Sequence, residues 1–267
     1  LTLLAATRAG DSDNNQDRFV VGDGFALVLD GATSVAMDRS HDPGWYAERL
    51  GKEIASRLPE GVSLPDTVAA AITAVRDTYG LVARTSPTST VAIARWSTQT
   101  IETFVLCDSS VTLLHDDGTE KVHTDLEVGT AIARHRELYR SRLATGHGFD
   151  DGHRALLVEL QEEQARRRNR PGGYWVAGIE PEAAYHGHVG TTHRAGVTAL
   201  VLATDGVELD RHPRASTWRD VYDEALEHGP AHVLDAVHDA EATDPDGVRW
   251  ARAKRHDDKT LVIVRLA

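Results

Sequence analysis

Four aspartates, Asp17, Asp30, Asp205 and Asp257, each stand at the edge of an apolar, strand-like run, and Asp30 and Asp205 are followed directly by glycine. They come from both ends of the chain, so any fold that uses them together has to gather the two ends around one site. A strand that carries Val, Ile and Leu into a core and ends on an acid delivers its carboxylate to the rim of a sheet. Oxygen ligands from distant segments can converge there on a hard cation.

The runs around these acids are short and closely spaced. Phe19 to Val21 and Phe25 to Leu29 are separated by Gly22, Asp23 and Gly24, a spacing that predicts a hairpin between the first two strands. Apolar positions at helical spacing then predict two amphipathic helices, over Pro43 to Leu58 and Leu64 to Val82. Thr90 to Trp96, Ile101 to Leu106 and Val111 to His115 follow one another too closely for helical crossovers, which predicts a meander. From Leu126 to about Arg170 the chain turns polar and helical, and Pro171, Gly172 and Gly173 break it before Tyr174 and Trp175; the stretch reads as an insertion over the sheet. Val197 to Ala203 and Thr260 to Leu266 are the most apolar strands, with helices near Thr217 to Glu227 and Ala231 to Ala240 between them. Antiparallel strands with paired helices suggest sheets covered by helices on their outer faces.

Composition narrows the partners. The chain has 267 residues, 41% of them hydrophobic, enough for one large core without disulfides, and a single domain is the preferred reading. Its net charge is −12, with 41 acidic against 29 basic residues, which argues against nucleic acid as a partner. Cys107 is the only cysteine, so intramolecular disulfides and thiolate clusters are excluded and a buried structural thiol is expected. No run reaches the length of a membrane span and the opening residues lack a signal-like pattern, so the expectation is a soluble, cytoplasmic protein.

Taken in order, Asn15-Gln16-Asp17, Leu29-Asp30-Gly31, Cys107-Asp108-Ser109, Thr204-Asp205-Gly206 and Asp257-Asp258-Lys259-Thr260 resemble the metal-ligand motifs of the metal-dependent protein phosphatase 2C family, and Pro171 to Val176 resembles a stretch in its bacterial members. The resemblance spans nearly the whole chain. It implies a four-layer αββα sandwich, an α/β (α+β) arrangement of two antiparallel sheets flanked by helices, spanning residues 1–267 with a flap insertion at about 126–185. Asp30 would bridge two Mn2+ or Mg2+ ions, Asp205 and Asp257 would complete one shell, the Gly31 carbonyl would join the other, and Asp17 would hold water ligands. Asp108 would serve a weaker third ion. The implied activity is hydrolysis of phosphoserine and phosphothreonine in a phosphorylated protein substrate, by attack of a metal-bridging hydroxide, in bacterial signalling. Two cations about 4 Å apart both generate hydroxide and neutralise phosphoryl oxygens, which suits so slow a reaction.

Three positions depart from the family pattern. The phosphate-gripping arginine falls at Ser12, the histidine after Asp-Gly at Ala32, and a glutamate at Gln16; a further acid falls at Leu209, leaving Glu208 or Asp210 for the third ion. Arg8 and His41 are candidate replacements for the arginine and the histidine, against the plainer reading of a surface arginine and a loop histidine. Arg166, Arg167, Arg168 and Arg170 are either a solvated helix end or a hold for an acidic or phosphorylated partner. The pairs Trp45 with Tyr46 and Tyr174 with Trp175 either line a groove or anchor packing, and His186 with His188 has strand-like spacing. Two alternatives stand beside an efficient protein phosphatase: a weak or inactive module that binds a phosphorylated partner, and a small-molecule phosphatase on the same scaffold.

Overall fold

Each central strand divides its side chains between two interiors, and that division builds the layers. In β3 (Phe25–Ala32), Ala26 and Val28 enter a core between two sheets, while Leu27 and Leu29 enter another beneath helices. In β10 (Val197–Ala203), Leu200 and Leu202 enter the inter-sheet core, and Ala199, Val201 and Ala203 face helices on the far side. In β11 (Lys259–Arg265), Val262 and Val264 alternate with Leu261 and Ile263 in the same way. Strands buried on both faces must read as continuous apolar runs.

The computed structural model describes residues 1–32, 41–58, 61–83 and 85–266. One antiparallel sheet orders β1 (Thr2–Arg8), β11, β10, β7 (Ser110–His115) and β8 (Glu120–Thr124). The other orders β2 (Asp17–Gly22), β3, β5 (Val91–Trp96), β6 (Thr100–Leu106) and β9 (His188–His193), with the short β4 (Thr88–Ser89) paired to β3. Outside the second sheet lie α1 (Pro43–Ser56) and α2 (Leu64–Tyr79), started by Asp42 and Ser63, whose side chains accept from Trp45 N and Asp66 N. Outside the first lie α6 (Trp218–His228), opened by a Thr217–Asp220 capping box, and α7 (Pro230–Ala242). The expected αββα sandwich is therefore the fold. Between β8 and β9 the chain forms α3 (Glu127–Ala131), α4 (Ala133–Ala144) and α5 (Asp151–Arg167), with a core of their own around Val128, Tyr139, Leu143, Leu160 and Tyr174. Among the described residues no helix is long and apolar enough to cross a membrane.

Two expectations about strand pairing are corrected. The Phe19–Leu29 hairpin exists, but it joins the second and third strands, because β1 precedes it and pairs antiparallel with β11. The three-strand meander does not form: β5 and β6 pair, whereas β7 leaves for the other sheet and lies between β10 and β8. The chain changes sheet at Cys107, a non-glycine residue at φ 69°, while Thr90 and Ser109 hydroxyls meet at 2.6 Å across the crossing. That crossing carries Asp108 to the rim. The pair His186 and His188 is split likewise, His186 lying in the tight-helix turn Pro181–His186 and stacked on Trp175 at 3.5 Å, His188 opening β9.

Candidate metal centre

Both ends of the chain are laced together beside the acids. Asp258 accepts from Gly10 N and Gln16 N, each at 2.8 Å, and Asp11 accepts from Arg255 N at 3.0 Å and His256 N at 3.1 Å. The first loop therefore cannot move without the approach to the last strand. Asp17, at the foot of β2, is opposite Asp30 in the β2–β3 register. It accepts 2.6 Å from the Thr204 hydroxyl, next to Asp205, which ties the hairpin to the end of β10. Gly31 N donates to Gln16 O at 3.2 Å, and a Cβ on Gly31 would lie 2.6 Å from the Pro43 carbonyl carbon, so only glycine admits the α1 start this close.

Asp30, Asp108 and Asp205 line one cavity of about 130 Å3 with Ala32, Thr88 and Arg168. Asp205 also lines a neighbouring cleft of about 60 Å3 with Asp257, Lys254, Arg136 and Glu208. Withdrawal from water, then the charges of Asp17, Asp205 and Asp257, push the Asp30 carboxyl well above the usual range. Burial, then Asp108 and Asp257, do the same to Asp205. Burial and the Asp257 charge outweigh the Thr204 hydrogen bond and push Asp17 up to about 7. Burial also raises Asp108, which Arg136 partly offsets.

The protein thus concentrates carboxylates from five separate segments where its own cations balance them only in part. Lys254 donates to Asp257 at 2.5 Å, and its charge is felt by Asp30 and Asp205; partial burial opposes that charge, but the three acids outweigh it and hold the amine above its usual pKa. Oδ1 of Asp17 is buried with no hydrogen-bond partner. An all-oxygen donor set with excess negative charge and an orphaned buried oxygen fits a hard divalent cation better than a soft one.

Lys254 was missed by reading the sequence, since it sits in no acid motif, whereas Arg168 was named within the basic helix end but without its place in the wall of the acid cavity. Arg8 does not replace the arginine at Ser12: it forms an ion pair with Asp235 of α7 and lines neither acid cavity. Ser12 is exposed and donates to Asn14 O at 3.3 Å. His41 packs against Trp45 at 4.3 Å. Both Glu208 and Asp210 are exposed, and Glu208 lines the cleft with Asp205. Cys107 is buried, and burial with the neighbouring Asp108 charge raises its pKa, as suits a structural thiol. Tyr46 is fully buried and donates to Gly178 O at 2.5 Å, so it anchors packing.

Among the described residues, the groups whose ligand atoms lie within 4.8 Å of one another are His238–Glu241–His256 and Asp125–Glu127–His188; the aspartates at the rim stand further apart than that as a set. Neither contains the acids named above. Glu241 is already neutralised by Arg211 at 3.0 Å and the fully buried Lys259 at 2.8 Å, an internal ion network behind Asp257.

The sequence matches no family model and no curated protein. The fold, however, is that of bacterial PPM-type serine/threonine phosphatases. The PPM Ser-Thr phosphatase MsPP from Mycobacterium smegmatis, solved with cacodylate, is 18% identical with a TM-score of 0.56, over 100% of this chain and 99% of that one. A serine/threonine phosphatase from Staphylococcus aureus is 12% identical with a TM-score of 0.58, over 100% of this chain and 95% of that one. The catalytic domain of the serine threonine protein phosphatase PstP, solved with two manganese ions, is 15% identical with a TM-score of 0.53, over 98% of each chain.

Proposed function

We propose that this protein is a divalent-metal-dependent phosphatase acting on phosphoserine and phosphothreonine in proteins. The observation that carries the reading is the convergence of Asp17, Asp30, Asp205 and Asp257, from both ends of the chain, into one undercompensated cluster. In this reading Asp30, Asp205, Asp257 and Gly31 hold Mn2+ or Mg2+, Asp17 orders the water around them, and Asp108 with Glu208 borders a third, weaker position. When bound, such ions supply Lewis acidity and an activated water to phosphoryl transfer. The manganese in PstP supports the choice of ion.

The rest is done by the chain itself. The Thr204 hydroxyl donates to Asp17 and itself accepts from Thr260 N at 2.9 Å, which holds Asp17 in place. Asp258 fixes the loop before β2, and Arg168 brings a permanent cation to the wall of the acid cavity, where a phosphate would be drawn between it and the metal ligands. Ala32 offers no proton to a leaving group, so substrates with poor leaving groups should turn over slowly, by about 10²- to 10⁴-fold. Residues 1–267 would act as one catalytic unit with 126–185 as its flap.

A second reading, a weak or inactive module that binds a phosphorylated partner, draws on Arg8 being engaged by Asp235 and Ser12 carrying no charge. Hydrolysis of an aryl phosphate and of a phosphothreonine peptide, with and without Mn2+, separates the two. Manganese-stimulated turnover of the aryl phosphate supports the enzyme; no turnover of either supports the module.

A further inference from the structure

Next to the acid cavity, sharing Thr88 and Arg168 with it, lies a larger cavity of about 540 Å3. It opens between the end of α5, the chain after α2 and Gly178–Glu180, and its walls join two kinds of surface. Val82, which is 60% exposed, and Ile179 offer apolar contact, while Arg166, Arg168 and Arg170 reach it from one short stretch against a single acid, Glu180. Thr88 is 4% exposed, and its hydroxyl is buried without a hydrogen-bond partner in the wall common to both cavities. A buried unpaired hydroxyl between a basic cleft and a cluster of acids is a polar group awaiting a partner. The volume lies in the range of ligand-binding clefts.

We propose that this cleft holds the polypeptide flanking the phosphorylated residue and selects substrates with acidic side chains there. The proposal rests on the phosphatase reading and names its substrate class. With the phosphorylated residue in the acid cavity, the adjoining chain has a direct path past Thr88 and Arg168. Its backbone would meet Thr88, its aliphatic parts Val82 and Ile179, and its carboxylates Arg170, whose planar guanidinium group suits bidentate contact, Arg166 being ion-paired with Glu163 at 2.9 Å. A small phosphate ester would leave the cleft empty.

The test compares two phosphothreonine peptides of equal length, one with glutamates and one with serines on both sides of the phosphothreonine, together with an aryl phosphate, on the full chain with Mn2+. The native protein is expected to favour the glutamate peptide in kcat/KM. Arg170→Glu should cut that value about tenfold by placing like charges together, with less than about twofold change for the serine peptide and the aryl phosphate, and Arg170→Lys should keep most of the preference. Equal rates on the two peptides, or an equal fall on all three substrates in Arg170→Glu, would overturn the proposal. If the native protein hydrolyses none of them, the phosphatase reading fails, and fluorescence anisotropy of the same labelled peptides decides the cleft. Tighter binding of the glutamate peptide that Arg170→Glu abolishes upholds it; equal binding overturns it.

Discussion

Asp30 and Asp205 each repel neighbouring carboxylates in a partly desolvated place, an arrangement that would destabilise the protein unless a cation came to it. Asp30→Asn and Asp205→Asn keep the shape but remove a charge, so both should abolish manganese-stimulated activity while the circular dichroism spectrum stays native. Calorimetric manganese titration checks the point: unchanged stoichiometry and affinity in either variant would refute the ligand assignment. Lys254 makes a sharper case. Its amine already sits on Asp257 and would compete with an incoming ion. Lys254→Met should therefore tighten manganese binding by a few-fold, the scale of one partly exposed ion pair; weaker binding would mean that Lys254 orients Asp257 for the metal.

At the scale of elements, the site depends on how closely the ends of β10 and β11 approach each other. A Cβ on Gly206 would collide with the carbonyl oxygen of Asp258, so Gly206→Ala has to push the two strand ends apart. We expect a loss of about 1–3 kcal/mol in stability and a larger loss of manganese affinity than any surface Gly→Ala change produces, measured by denaturant unfolding and by titration. The α3–α5 insertion packs around one cluster, which also takes in Cys107 and, at its edge, Ala251 and Ala253, with Leu143 fully buried in it. Leu143→Ala should cost about 2–5 kcal/mol locally and speed amide exchange across 127–176 before the sheets are affected. If the insertion is the flap that receives substrate, phosphopeptide turnover should then fall more than aryl phosphate turnover. Equal falls would make it part of the catalytic core.

For the whole molecule, the acid cluster links folding to pH and to metal. Asp17 titrates near 7 in the fold and near 3.8 when unfolded, so between those values the folded state holds a proton that the unfolded state has released. Its contribution is fully present below about 3.8 and is lost as pH rises through about 7. Metal-free protein should therefore lose melting temperature between pH 5 and pH 8 relative to Asp17→Asn, and Mn2+ should restore it at pH 8 by binding the folded state alone. A difference between the two proteins that does not change with pH would show that Asp17 is not titrating in the fold.

The sequence by itself determined β2, β3, β5, β6, β7, β10 and β11 and the acids beside them, because apolar runs and Asp-Gly pairs are local properties of a few residues; β1, β4, β8 and β9 were not read from it. Val28 and Leu29, or Leu200 and Val201, show by being apolar side by side that both faces of a strand are covered. Tertiary structure alone decided the pairing. That β1 closes on β11, and that β7 leaves β6 for the other sheet, depends on hydrogen-bond partners far away in the chain. The same holds for the site's cations. Arg8 lies near Asp17 in sequence yet is engaged by α7, while Arg168, from the end of the insertion, reaches the acid cavity. A guanidinium goes to whichever carboxylate or cavity the fold sets within its reach, and sequence distance does not report that reach.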